Sequence, residues 1–189
     1  MAPQVSTGRI QQQVAAIASG FLGDWLEHRG NGLAVPMSVF AGDTELQVEK
    51  PEPEAPGRTL CLSIHGLMEL ESVWDFPSRP GYHYGSYLAE QLGDASALKL
   101  RFNTGRPIYR NGQELAALLE SLVSNWPVPV QRLILIGHSM GGFLALRLAS
   151  HQSGWWKGMV GSAILDFVSH PLGLAIAIDE EDQNDALAK

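Results

Sequence analysis

One stretch constrains this chain more than any other. Arg132-Leu133-Ile134-Leu135-Ile136 reads as an apolar strand. It runs directly into Gly137-His138-Ser139-Met140-Gly141-Gly142, and an apolar helix follows over 142–150. A strand, a Gly-x-Ser-x-Gly turn and a helix in unbroken succession predict a nucleophile elbow, a tight turn that exposes a serine hydroxyl at the end of a sheet. Ser139 would sit at strained backbone angles there, so its close neighbours must be small. Gly137 and Gly141 fill the flanking positions where a side chain would collide with the turn, and Gly142 adds room. The start of the following helix favours negative charge at the same point.

The rest of the chain supplies a sheet for such a turn. From Thr59 onward, strands alternate with helices. Thr59–Ile64 is a strand, and Tyr84, Tyr87, Leu88 and Leu92 trace a helical face. Ala97–Phe102 is a strand, and Leu115, Leu118, Leu119 and Leu122 mark a helix. Gln131–Ile136 and Gly158–Leu165 are further strands. This alternation predicts an α/β fold, a mostly parallel sheet flanked by helices and wound from right-handed βαβ units.

Ahead of it, residues 1–57 form an N-terminal section. Ile10, Val14, Ile17, Phe21 and Trp25 recur at helical spacing over 10–27 and are expected to pack on the core. Met37–Phe40 and Glu45–Val48 flank a Gly-containing turn and predict a hairpin. The Pro-rich 50–57 connector cannot be strand interior. Residues 58–165 are the βαβ core of a single domain. Residues 166–189 form a loop and an acidic tail, in which Asp179, Glu180, Glu181, Asp182 and Asp185 face only Lys189.

Composition narrows the function classes. The chain has 189 residues and a formal net charge of −7, and no basic stripe marks a nucleic-acid partner. No apolar run reaches the ~18–20 residues of a membrane span, and the N-terminus lacks a signal-peptide pattern. The lone Cys61 lies in an apolar strand and fits a buried small hydrophobe in a reducing compartment. The expectation is a cytoplasmic protein. Metal ligation by the acidic tail has little behind it, and the serine turn lacks the lysine and spacing of a phosphate-binding loop.

A second motif, Leu62-Ser63-Ile64-His65-Gly66-Leu67, ends a strand some seventy residues before the elbow, and Trp74 follows it. With Gly-His-Ser-Met-Gly-Gly at the elbow, the chain resembles the α/β-hydrolase superfamily, in particular its lipase- and esterase-like members, over roughly residues 37–165. The resemblance implies cleavage of carboxylic esters through an acyl-enzyme on Ser139. The backbone N–H groups of Leu67 and Met140 would form the oxyanion hole. It implies a small-molecule ester or acyl substrate and no cofactor or metal. His65 reads as an organiser of its loop. His138 reads as a residue bonded or packed beside the sheet, aimed away from the hydroxyl that follows it.

The triad is harder to complete. The family order is Ser, then Asp or Glu, then His. The usual remainder of the fold needs on the order of 80 residues after the serine, and the chain ends 50 residues after Ser139. The expectation is therefore a C-terminally shortened sheet lacking its last strands. Its unpaired edge would invite self-association. Asp166 and His170 follow the 158–165 strand and are the candidate acid and base, while His151 comes too early. Two alternatives stay open. One is a catalytically impaired scaffold or fragment that binds an acyl ligand or a partner. The other is an acyltransferase or thioesterase using the same serine.

Overall fold

The computed structural model describes Ile17, residues 35–149, and the strand residues 162–164 and 174–179. Ile17 is helical and half exposed rather than buried on a packed face. The rest of the expected 10–27 helix lies outside the described residues, as do Asp166, His170, His151 and the tail beyond Asp179.

The architecture is α/β. Strands β1 (Ser38–Ala41) and β2 (Thr44–Leu46) form the expected hairpin. Then follow β3 (Thr59–Ile64), a 3-10 turn (Glu71–Trp74), the short strands β4 (Asp75–Phe76) and β5 (Arg79–His83), and helix α1 (Tyr84–Leu92). Next come β6 (Ala95–Arg101), α2 (Ile108–Asn125), β7 (Arg132–Gly137), α3 (Met140–Ala149), β8 (Ser162–Ile164) and β9 (Leu174–Asp179).

The main sheet runs β2-β1-β6-β3-β7-β9-β8. Its centre is parallel. β3 pairs with β6 along one side and β7 along the other, over all six of its residues. A strand covered on both faces reads as a continuous apolar run, as Thr-Leu-Cys-Leu-Ser-Ile does. Alternation then sorts its side chains. Leu60, Leu62 and Ile64 enter one core with Leu98, Leu100, Leu133 and Leu135, covered by Leu115, Leu119 and Leu122 of α2 and Leu144, Ala145 and Leu148 of α3. Ser63 faces the other way, toward Gly85 of α1. The helices thus lie on both faces, as right-handed crossovers require when the chain moves from β3 to β6 and then back past β3 to β7.

Three expectations need correction. The sheet is mixed rather than mostly parallel, because β1 is antiparallel to β6, β9 to β7, and β8 to β9. The 165–173 link is shorter than the dozen or so residues of a parallel crossover, so β9 returns antiparallel to β8. β9 lies between β7 and β8 and pairs with β7 from Arg132↔Asp179 to Gly137↔Leu174. Asp179 therefore ends a strand instead of opening a solvated tail. Finally, α1 exists where its periodicity put it, but Tyr84, Tyr87 and Leu92 are exposed, while Gly85 and Ala89 are buried. The helix approaches the sheet through its small residues, while the half-exposed Tyr84 ring packs edge-on against Phe76, with centroids 4.7 Å apart, rather than into the core.

His83 begins α1. Its Nδ1 accepts the Gly85 N–H at 3.2 Å, and Ser86 Oγ accepts the His83 N–H, a reciprocal cap. The ring is fully buried, and burial, reinforced by Lys99, pushes its pKa down to about 4. The unfolded chain then takes up a proton near pH 6.5 that the native state refuses until about pH 4. This contribution is intact above pH 6.5 and is lost as pH falls from there toward 4, up to about 3 kcal/mol. His83→Asn keeps a capping side chain and removes the titration. Urea unfolding at pH 7 and pH 4.5 should show a smaller acid loss in the variant than in the wild type. Equal losses would show that His83 does not carry it.

Candidate active site

From the adjacent strands β3 and β7 the chain goes on to opposite sides of the sheet, to β6 from the first and to β8 from the second. Such a divergence is a topological switch point, and the crevice outside the carboxyl ends of the strands there is where open α/β sheets hold ligands. The His65-Gly66 turn leaves β3 there, and Ser139 leaves β7 beside it.

Among the described residues, two non-glycines take positive φ: Met68 at 61° and Ser139 at 51°. They belong to the two turns that flank the crevice. Backbone strain of this kind costs about 1–3 kcal/mol and persists where surrounding structure enforces it. At Ser139 the enforcing contacts are backbone on backbone. A Cβ on Gly141 would lie 2.2 Å from the Ile64 carbonyl oxygen, and one on Gly137 would lie 2.5 Å from the Gly142 nitrogen. The His138 N–H donates to Ile64 O at 3.0 Å, tying the turn to β3. Ser139 itself is exposed, and its Oγ has no hydrogen-bond partner among the described residues.

The facing turn is held from β6 and the loop after it. Thr104 Oγ1 accepts the Met68 N–H at 3.1 Å. Arg101 grips Glu71 through two hydrogen bonds, at 2.7 and 2.5 Å. Lys99 Nζ donates to Asp75 at 2.7 Å. Asn103 closes its own turn by accepting the Gly105 N–H, and Asn111 Nδ2 donates to Asn103 O.

These bonds sort the backbone donors. Glu69 Oε2 takes the Gly66 N–H at 2.7 Å, Thr104 takes that of Met68, and Gly66 O takes that of Glu69. Across the crevice, Gly141 and Gly142 donate to His138 O and Ser139 O. The N–H groups of Leu67 and Met140 have no acceptor among the described residues. They are the two donors for which the resemblance implies an oxyanion role.

The described histidines divide by role. His65 is buried and stacked on Phe102, with centroids 4.5 Å apart, and its Nδ1–H donates to Gly66 O at 2.9 Å. Burial holds its pKa below the ordinary value against the pull of that carbonyl, so it stays neutral and organises the turn. His138 turns to Glu69 at 3.2 Å. His83 caps α1. None of the three bonds Ser139 Oγ. The candidate acid and base, Asp166 and His170, lie outside the described residues.

Cys61 is buried, and burial raises its thiol to about 11, which leaves it an unreactive core residue. Among the described residues no three His, Cys, Asp or Glu side chains gather as a metal site, and no helix is long and apolar enough to cross a membrane. Sequence reasoning passed over Glu69 and Thr104, whose roles depend on partners far along the chain. Comparison with protein-family models, with characterised proteins and with solved structures finds no match to this chain.

Proposed function

We propose that this chain is a serine hydrolase of the esterase type with an α/β-hydrolase-like fold, acting on small carboxylic esters through an acyl-enzyme on Ser139. One observation carries the reading. An exposed serine is held at a φ of 51° where β7 passes into α3, across a switch-point crevice from a turn whose Leu67 N–H is unspent.

In this reading Ser139 Oγ attacks the ester carbonyl while a base takes its proton. The Leu67 and Met140 N–H groups stabilise the oxyanion that forms. Collapse of the adduct expels the alcohol, which takes the proton back, and water then cleaves the acyl-enzyme by the same steps. His170 is the proposed base and Asp166 its partner. Leu67 and Phe143, about half exposed beside the two turns, suit an apolar acyl group.

The fact that no described histidine meets Ser139 Oγ favours a second reading, a hydrolase-like scaffold that binds an acyl ligand without turnover. The experiment that separates them is hydrolysis of p-nitrophenyl butyrate, read alongside labelling by a fluorophosphonate. The hydrolase reading expects measurable turnover, single-site labelling at Ser139, and loss of both in Ser139→Ala, with a rate fall on the order of 10³-fold or more. His170→Ala should lower turnover comparably. Wild type and Ser139→Ala that are equally inert and unlabelled would overturn it in favour of the scaffold.

A further inference from the structure

Glu69 occupies an unusual place. Its Oε2 accepts the Gly66 N–H at 2.7 Å and also meets His138 Nδ1 at 3.2 Å. The first bond belongs to the turn after β3, the second to the turn after β7, so a single oxygen joins the two walls of the crevice. A carboxylate oxygen that already accepts one N–H can only accept from the imidazole, so His138 Nδ1 carries the proton that it gives to Glu69. His138 in turn is fixed by its own N–H on Ile64 O. The two turns come into close contact at Gly66. A Cβ added at Gly66 would lie 2.9 Å from Glu69 Oε2, 3.0 Å from His138 Nδ1 and 3.3 Å from Ser139 Cβ.

We infer that Glu69 is a positioning residue for the reaction at Ser139. By bridging Gly66 and His138 it sets the height of the 65–69 turn above the elbow, and so the placement of the Leu67 N–H opposite that of Met140. The bridge also explains which donor is free. With the Gly66 N–H held by Glu69 and the Met68 N–H held by Thr104, Leu67 is left to face the substrate. This inference rests on the hydrolase reading given above. It adds a residue that touches neither Ser139 Oγ nor the substrate and acts through the geometry of the two turns.

The test compares wild type, Glu69→Ala, Glu69→Gln and Ser139→Ala in p-nitrophenyl butyrate hydrolysis, with His138 ring nitrogens followed by 15N NMR. A donor displaced by about 1 Å costs roughly 100-fold in rate. Glu69→Ala should therefore lower kcat by about 10- to 100-fold, with KM moving less than about twofold, since the lost interaction acts in the transition state. Glu69→Gln keeps an acceptor oxygen in place and should recover most of the rate. The wild-type ring should show the Nδ1–H tautomer, and Glu69→Ala should release it while Glu69→Gln retains it.

Urea unfolding of each variant separates a misplaced donor from a collapsed fold, because Glu69→Ala and Glu69→Gln should unfold alike while their rates differ. Full activity in Glu69→Ala, beside an inactive Ser139→Ala, would overturn the positioning role and leave the hydrolase reading standing. A kcat that falls only as far as stability does, with no rescue by glutamine, would also overturn it. Wild type as inert as Ser139→Ala would sink the hydrolase reading and the catalytic role of Glu69 with it. An Nε2–H ring in the wild type would remove the bridge itself.

Discussion

A Gly141→Ala variant is expected to lose about 3 kcal/mol or more of folding stability. The added methyl would lie 2.2 Å from Ile64 O and 2.6 Å from His65 O. Both atoms are backbone, at the point where β3 passes into the site turn, so no side chain can swing aside to make room. Relief requires either α3 to lift from the sheet or β3 to bend, and each exposes part of the core that Leu144, Ala145 and Leu148 share with Leu62 and Ile64. A typical domain has a margin of roughly 5–15 kcal/mol, so the variant would fold weakly. Urea titration against wild type reads the loss directly. A shift below about 1 kcal/mol would mean that α3 does not approach β3 this closely.

The second large effect is expected at Lys99. It lies in the centre of β6 with its side chain 1% exposed, bonded to Asp75 at 2.7 Å and 3.6 Å from Asp43. Asp75→Ala leaves that ammonium buried with only the Asp43 carboxylate, whose side chain is largely exposed, nearby. Breaking a buried pair from one side costs about 3–5 kcal/mol, and the surviving Asp43 puts the expectation at the lower end. Replacing both partners with apolar residues, Lys99→Met with Asp75→Leu, should recover most of the loss, since the buried charge is then gone. Denaturant midpoints of wild type, Lys99→Met, Asp75→Leu and the double variant form the cycle that checks this. Additive single effects would show that the pair does not act as a unit.

Residues whose partners are close in sequence could be read in advance. Thr59–Ile64 and Arg132–Gly137 are apolar runs of strand length bounded by breakers. The elbow glycines sit within two residues of the serine they accommodate. Leu115, Leu119 and Leu122 of α2 repeat at three and four residues and are fully buried. What escaped was non-local. The face of α1 looked aromatic because Tyr84 and Tyr87 carry the apolar surface, yet packing selected Gly85 and Ala89, which let the backbone come close. Leu174–Asp179 fell within the expected loop and tail because strand direction and neighbour are not written in a six-residue pattern. They follow from the short link to β8. Within the candidate site, Glu69 and His138 are 69 residues apart, and Met68 and Thr104 are 36 apart. Neither pairing leaves a local spacing to notice. Lys99 likewise passed unremarked within its strand, because its partner Asp75 arrives from an excursion that begins after β3.

The central place of β3 in the sheet carries a consequence for synthesis. Its two neighbours both come later in the chain: Leu60 pairs with Ser96 on one side and with Leu133 on the other. A ribosome adding about 5–20 residues per second makes β7 some 4–15 seconds after β3. Throughout that interval the Leu-Cys-Leu-Ser-Ile segment keeps at least one unpaired edge, and until β6 is made both of its edges lack their parallel partners. The nascent chain therefore presents its stickiest strand first and shields it last. Its yield in a cell then depends on how well chaperones cover that interval, whatever the stability of the finished fold.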